Sequence, residues 1–437
     1  MRYFTALTLL VFLGLWWLSP DTATTAVTTG SNVHPTWSEA AILSDAPQGA
    51  ERPYIAAGAG ERLLLVYTQI DGGAAAYPTY RLSNNFGTTW TAPAPIYNAS
   101  GDSRQVHAVL DQNNNGHAVW REGPFEIRYA AQSDWGGAVS TLLFSSDVGV
   151  PSFPKLVASG SGQLDAVWAG LRLPEDNNSN IFHTFSTNNG ATWQTASVVA
   201  STLPSSLFPS LAVGPDGTRH VVWAEETALG NERIMYAQGT VAGSTITWSE
   251  AIIVSNPNLP YTTSPTVVMH NNAVQVFYTW RDDQGNNEVY QYIYLAICAT
   301  NCANPDNWVS ASGNPVSGTL VGANTNDPFY VESTAVVNQG CLYSYFHGTN
   351  PTDPNVNQNS EIVWGINSCG LGWDDGRDQT TEYNSRSLYP ALATHDDWLF
   401  LVYESAPLGA GYRQVHFRRA QVDIVPLSRL YLPIIRR

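Results

Sequence analysis

The chain has 437 residues and a formal net charge of −16, from 36 acidic against 20 basic side chains, and charged residues make up only 13% of it. That balance excludes nucleic acids and anionic membrane surfaces as partners, because both demand a basic footprint. Tryptophan, tyrosine, asparagine, serine, threonine and glycine are plentiful instead.

At the start, Arg2 is followed by an uncharged apolar run from Tyr3 to Leu18, then by Ser19, Pro20 and small residues around Ala23 and Ala26. This is the pattern of a secretory signal peptide, assigned to 1–26. A membrane span needs roughly 20 apolar residues, more than this run supplies, and no comparable run follows it. The expected location is therefore extracellular. Residues 27–35 read as a linker, and the remainder is long enough for two or three average domains or for one repeat fold.

From there one pattern recurs: a short polar lead often ending in Pro, an alternating apolar strand, a Gly or Asn turn, and a second apolar strand ending in Trp or Tyr. Copies begin at Arg52, Arg104, Phe153, Phe208, Ser264, Glu332 and Tyr389. Period-two alternation between turn residues predicts antiparallel hairpins, and no stretch sustains a helical period. A second hairpin follows each copy, which gives about four strands in about 55 residues, the period of a β-propeller blade. The predicted fold is an all-β propeller over 36–425 with seven blades, or six if the degenerate copy at Glu332 is an insertion. "TWSEAAIL" from Thr36 matches "TWSEAIIV" from Thr247, an outermost strand, while the last copy lacks one. The N-terminal strand is thus expected to complete the last blade and remove an open edge.

Two nine-residue stretches, "LSNNFGTTW" from Leu82 and "FSTNNGATW" from Phe185, carry Ser83, Asn85, Gly87, Thr89 and Trp90, and Ser186, Asn188, Gly190, Thr192 and Trp193. This spacing resembles the Asp box of the sialidase-like propellers, with Asn where the family has Asp. In physical terms Ser and Asn cap a tight turn, Gly supplies a positive φ and Trp fills the seam between sheets. The resemblance implies an outer hairpin away from the ligand face, and so speaks to fold, not to substrate.

Between these stretches, "DQNNNGHAVWRE" from Asp111 to Glu122 fits a calcium-loop pattern. Its second half reads as a strand in register with the other copies, which keeps Glu122 from folding back as a ligand, and no metal is expected. His117 and His220 precede Trp120 and Trp223 by three residues, a register that Leu64, Asp165 and Gln275 share. They are read as packing residues, as are Tyr67, Trp120, Trp168, Trp223, Tyr278 and Tyr403. The four cysteines of an exported chain suggest two bridges, Cys298 with Cys302 and Cys341 with Cys369. The tail 426–437, "PLSRLYLPIIRR", ends in paired arginines and reads as a processing or surface-retention signal or an edge strand.

Propeller ligands meet the face where the inner strands begin, so Arg52, Arg104, Glu332 and Arg386 are the candidate binding residues. Resemblance to sialidases implies an arginine triad on a substrate carboxylate, a tyrosine nucleophile and an aspartate acid/base. Carried onto this chain, it selects Arg52 in Glu51-Arg52-Pro53, Asp71 on the next loop, and Arg386 with Tyr389. A convincing Glu and Tyr pair is missing, and the leading expectation is a monomeric module that recognises extracellular glycans or glycoproteins without a cofactor. An exo-acting sialidase and a propeller polysaccharide lyase, the latter needing a His or Tyr base beside an arginine, are the alternatives.

Overall fold

The computed structural model describes residues 35–44, 49–71, 75–98, 101–171, 178–200, 204–227, 231–283, 288–310, 317–323, 333–349, 361–368, 374–379, 385–407 and 411–422. The expected signal peptide, Glu332, Cys369 and the tail 426–437 lie outside them. The described residues form seven antiparallel sheets.

Blade 1 is β2 (Ala50–Ala57), β3 (Leu63–Ile70), β4 (Ala76–Ser83) and β5 (Ala94–Pro95). Blade 2 is β6 (Ser103–Leu110), β7 (Gly116–Glu122), β8 (Glu126–Ala131) and β9 (Thr141–Ser145). Blade 3 is β10 (Ser152–Ser159), β11 (Gln163–Gly170), β12 (Asn180–Ser186) and β13 (Ser197–Ala200). Blade 4 is β14 (Ser206–Val213), β15 (Arg219–Glu226), β16 (Glu232–Ala242) and β17 (Thr245–Trp248), with β18 (Ile252–Ile253) also on β16. Blade 5 is β19 (Thr262–His270), β20 (Ala273–Asp283), β21 (Glu288–Cys298) and β22 (Trp308–Ser310), with β23 (Ser317–Ala323) also on β21. Blade 6 is β24 (Ser333–Asn338), β25 (Cys341–Thr349), β26 (Glu361–Ser368) and β27 (Asp374–Gln379). Blade 7 is β28 (Ser385–His395), β29 (Trp398–Pro407) and β30 (Gln414–Gln421), completed on its outer edge by β1 (Ala41–Ile42).

The stretch that follows Glu332 is therefore a sheet of its own and not an insertion. The first strands touch in cyclic order, β2 to β6, β10, β14, β19, β24 and β28, and β28 returns to β2. Closure is by the N-terminal segment, as its likeness to an outer strand predicts: Ala41 pairs with Phe417 and Ile42 with His416. Leu43 N–H donates to Val415 O at 2.8 Å, and Arg418 holds Ser38 O at 3.1 Å.

The core is divided among the seams. Each hydrophobic cluster joins two neighbouring blades: Tyr67, Leu65, Val402 and Phe417 between blades 7 and 1, Trp120 with Val66 between 1 and 2, Trp168 with Phe144 between 2 and 3, and Trp223 with Val167 between 3 and 4. Tyr278 with Val222, Phe277 with Leu342, and Tyr403 with Tyr343 continue the series to blade 7. A second strand such as β3 is buried along nearly all its length because both faces meet a neighbour, which is why these segments read as unbroken apolar runs.

Both Asp-box stretches fold into the same turn. Ser83 Oγ accepts the Gly87 N–H at 2.8 Å, Asn85 Oδ1 accepts the Thr89 N–H at 2.9 Å, and Asn85 Nδ2 donates to Thr89 Oγ1 at 2.8 Å. The second copy repeats these bonds at 2.9, 2.9 and 2.8 Å through Ser186, Asn188 and Thr192. Each turn docks on the preceding blade, Trp90 edge-on to Phe417 at 5.2 Å and Trp193 to Tyr129 at 4.9 Å. Gly87 has φ +77°, and a Cβ there would stand 2.3 Å from the Phe417 ring.

Between blades 3 and 4, the fully buried Asp165 accepts from His183 Nε2 at 2.9 Å and from Arg219 Nε and NH2 at 2.9 and 3.2 Å. Burial works to raise this carboxyl, but the His183 ring and the Arg219 guanidinium outweigh it and hold it below the usual carboxylate range. His117 and His220 serve the same packing register, each bonded to a tyrosine hydroxyl, Tyr129 at 2.7 Å and Tyr236 at 2.8 Å. Both sit at the end of their strand remote from Ser103 and Ser206, where the first strands begin. Burial lowers both, His220 to about 4. Cys298 is bridged to Cys302, and Cys341 is also disulfide-bonded. In the calcium-like stretch, Asp111 Oδ1 is taken by the N–H groups of Asn113 and Asn115, both at 2.8 Å, while Glu122 sits at the far end of β7.

Gly87→Ala is expected to cost about 1–3 kcal/mol, from the left-handed backbone and the ring contact, and Asn85→Asp less than about 0.5 kcal/mol because the Oδ1 acceptor is kept; thermal unfolding of the two variants checks the order. Asp165→Asn is expected to cost about 3–5 kcal/mol at neutral pH by leaving the buried Arg219 guanidinium without its carboxylate. Because a depressed carboxylate loses its contribution as pH falls from its unfolded value near 4 through its folded one, the variant's acid limb below about pH 4 should be flatter than the wild type's. Parallel acid limbs in urea titrations would contradict this.

Candidate functional site

Six of the seven first strands open with a register slip of the same kind, while the described part of β24 pairs in continuous register. Pairing jumps from Glu51 to Tyr54, Arg104 to His107, Ser152 to Lys155, Leu207 to Ser210, Thr263 to Thr266 and Leu388 to Ala391. The residue inside the slip is left-handed: Arg52 (φ 51°), Gln105 (58°), Phe153 (54°), Phe208 (54°), Ser264 (51°) and Tyr389 (51°). Proline follows five of these six. A left-handed residue bearing a side chain costs on the order of 1–2 kcal/mol, and the bulge turns that side chain toward the axis. These residues and their successors line a cavity of about 220 Å³ at the mouth of the axial channel.

The slip also corrects the repeat alignment. Gln105, not Arg104, is the counterpart of Arg52, and Arg104 precedes it, level with Glu51. Neighbouring blades fix two of the strained N–H groups: Phe153 N–H donates to Gln105 Oε1 at 2.8 Å, and Arg52 N–H to Glu404 Oε1.

One side of the mouth concentrates charge. Arg52 lies between two rings, its guanidinium carbon 4.4 Å from the centre of Tyr389 and 5.5 Å from that of Phe153. Arg104 bonds Glu51 and Asp102, both at 2.7 Å, and Arg121 reaches the same Asp102 at 3.6 Å. Burial pulls the Arg121 guanidinium below its ordinary range, with the charges of Arg104 and Arg52 adding to the effect against Asp102 and Glu51. Its Nε is buried without an acceptor. Arg413 bonds the fully buried Glu404 at 2.8 Å. Burial pushes the Glu404 carboxyl up, and Arg413 and the Arg52 N–H only partly restore it. The His347 ring stands 5.7 Å from Tyr389 on its other side. The opposite side is aromatic, with Phe153 and Phe208 at 4.3 Å between centroids.

Of the residues selected from sequence, the structure brings Arg52 and Tyr389 into contact and links Arg104 to the same charged group through Glu51. Asp71 follows β3 on the exposed loop, its N–H bonded to Ala75 O at 2.8 Å. The backbone of Arg386 belongs to β28, but its side chain, like all of Glu332, lies outside the described residues. Arg121, Glu404, Arg413, Gln105 and His347 were missed. Two of them had a signal available: Arg121 follows the seam aromatic Trp120, and Glu404 follows Tyr403, a repeat position that alternation turns away from the seam. Among the described residues no group of three or more His, Cys, Asp or Glu side chains is arranged to hold a metal, and no helix is long and apolar enough to cross a membrane.

No family model matches the sequence, and no curated protein matches it either. Solved structures do share the architecture. A protein of unknown function from Dyadobacter fermentans is 12% identical with a TM-score of 0.53, over 90% of this chain and 99% of that one. An ulvan lyase, from a family of polysaccharide lyases, is 9% identical with a TM-score of 0.58, over 86% and 94%. Trypanosoma rangeli sialidase, as its covalent 2,3-difluorosialic acid intermediate, is 12% identical with a TM-score of 0.50, over 85% and 54%, so the chain spans about half that enzyme's length. The chain thus has the sialidase-like propeller fold, and identities this low carry the fold alone.

Glu404 ties the last blade to the first at the mouth. Glu404→Ala is expected to cost about 1–3 kcal/mol in urea unfolding, because the Arg52 N–H loses its acceptor while the half-exposed Arg413 is resolvated. A loss under about 1 kcal/mol, as at an exposed ion pair, would show that this link carries no load.

Proposed function

We propose that the channel mouth is a recognition site for an acidic extracellular glycan, and that the protein acts as a secreted, monomeric binding module. One observation carries this reading. On a chain with a net charge of −16, Arg52 and Lys155 line the cavity, and beside Arg52 the guanidinium groups of Arg104, Arg121 and Arg413 are linked with the carboxylates of Glu51, Asp102 and Glu404. Five cations against three carboxylates, one of them shifted toward its neutral form, favour an anionic ligand. Such a patch favours a carboxylate-bearing sugar, because guanidinium forks match carboxylate geometry and the low-dielectric mouth strengthens the contact. The rings of Tyr389 and Phe153 on either side of Arg52 offer apolar faces to the sugar's C–H groups.

A second reading is catalytic. Tyr389 stands between Arg52 and His347, so an arginine that neutralises a sugar carboxylate lies beside a Tyr and a His able to move a proton. That arrangement suits elimination on a uronate, in keeping with the lyase among the structural neighbours. Hydrolysis of a sialoside would use the same Arg52 and Tyr389, with Asp71 as acid/base and Arg386 and Arg104 completing the clamp.

Binding to immobilised sialylated, uronate-containing and neutral glycans separates these readings. Wild-type protein is expected to retain acidic glycans only, and Arg52→Ala to weaken binding at least about tenfold, the loss of a charge-assisted contact of about 1.4 kcal/mol. Equal retention of neutral glycans would refute the site. Release of an unsaturated uronate or of free sialic acid that disappears in Tyr389→Phe would select the catalytic reading.

A further inference from the structure

Below the left-handed residues lies a second tier. The first residue to pair again after each slip is Tyr54, His107, Lys155, Ser210, Thr266 or Ala391, and all six line the cavity. Each stands two residues, about 7 Å of strand, beyond its left-handed neighbour. Among the described residues that line the cavity, Arg52 and Lys155 are the cations and none carries a carboxylate.

The neighbours of Lys155 on this tier are set as donors. His107 is 6% exposed, its ring centre lies 3.7 Å from that of Tyr54, and its Nδ1 accepts the Leu156 N–H at 3.2 Å. A protonated ring could not accept that bond. Burial, with the charge of Lys155 adding to it, holds the imidazole neutral by lowering it well below its ordinary range. The remaining ring proton is therefore on Nε2, which makes that atom an N–H donor. On the other side, Ser210 Oγ accepts the Val267 N–H at 3.2 Å, and its own hydrogen remains to be given. Thr266, by contrast, donates its hydrogen to Ser333 O at 2.6 Å. An N–H, an ammonium and an O–H thus follow one another across blades 2, 3 and 4.

We propose that Lys155, flanked by His107 and Ser210, forms a second oxyanion subsite inside the channel, so that the mouth selects acidic glycans carrying two negative groups. This rests on the acidic-glycan reading of the same mouth and extends it. Arg52 takes the first group, and the second, a carboxylate or a sulfate ester, reaches Lys155 one tier deeper. Charge-assisted bonds to an oxyanion are stronger than neutral ones, whereas a sugar hydroxyl offers the ammonium no opposite charge. Two residues of strand separate the tiers, so the two groups belong to the same sugar or to adjoining ones.

Lys155→Met keeps the unbranched stem and removes the charge, and Lys155→Arg keeps the charge. Titration calorimetry on the full chain compares ligands of matched size with one and two negative groups: unsulfated with 6-sulfated chondroitin disaccharide, and the monomethyl ester of digalacturonate with digalacturonate itself. The first pair tests a sulfate ester and the second a carboxylate. In at least one pair, wild-type protein is expected to bind the doubly charged member at least about tenfold more tightly, equivalent to about 1.4 kcal/mol. Lys155→Met should lose that gain and leave the affinity for the singly charged member unchanged, Lys155→Arg should retain the gain, and Arg52→Ala should weaken both members. The second subsite is refuted, and the acidic-glycan reading stands, if neither pair shows a gain or if Lys155→Met keeps it. The same holds if Lys155→Met weakens the singly charged member as much as Arg52→Ala does, because both cations would then hold one group. If neither these ligands nor sialyllactose bind at all, both readings fall.

Discussion

Everything in this molecule depends on the seam between neighbouring blades. A four-stranded sheet has two faces and no helix to cover either, so each blade buries its apolar side chains only against the next. The hydrophobic clusters therefore lie between blades, and each large aromatic of a second strand, from Tyr67 to Tyr403, fills one seam. Such an array is stable only if it closes, since an open end would leave a whole apolar face and a strand edge to water. The short pairing of β1 with β30 and the buried Glu404 contact to Arg52 close it at two radii, one at the rim and one at the axis.

The seam also explains where polar groups are tolerated. Asp165, His183 and Arg219 replace apolar packing between blades 3 and 4 with bonds centred on the Asp165 carboxylate, and the Asp-box turns clip onto the preceding blade through tryptophan. At the inner radius the same sheets converge and their faces run out of room. There six of the seven blades slip register, adopt a left-handed residue and point its side chain into the channel mouth. The site is thus a by-product of the geometry that closes the ring, populated unevenly: arginines on blades 1, 2 and 7, and Phe153, Lys155 and Phe208 on blades 3 and 4.

Much of the architecture was readable because it rests on local periodicity. The hairpin repeats, the seam aromatics and the outer-strand likeness of Thr36–Leu43 each follow from a pattern that a short window contains. The site was only partly readable. Arg52 and Tyr389 stood out as polar leads before Pro, but Arg104 took the place of Gln105, because no proline marks the slip in blade 2 and a one-residue bulge leaves no trace in alternation. Arg413 lies on the last loop, where nothing in its own surroundings shows that it will meet a carboxylate inside β29.

By itself the sequence determined that the chain is all-β, modular in four-strand units, acidic overall, and completed by its own N-terminal segment, since each of these is set by side-chain alternation, turn chemistry or composition. Only the tertiary structure decided which residues share the mouth. Blades 1 and 7 are more than three hundred residues apart along the chain, and the contact of Arg52 with Glu404 and Tyr389 exists because closing the ring lays the first strand against the last. The convergence of Arg52, Tyr389, Glu404 and Arg413 is a property of the closed ring and of no segment of it.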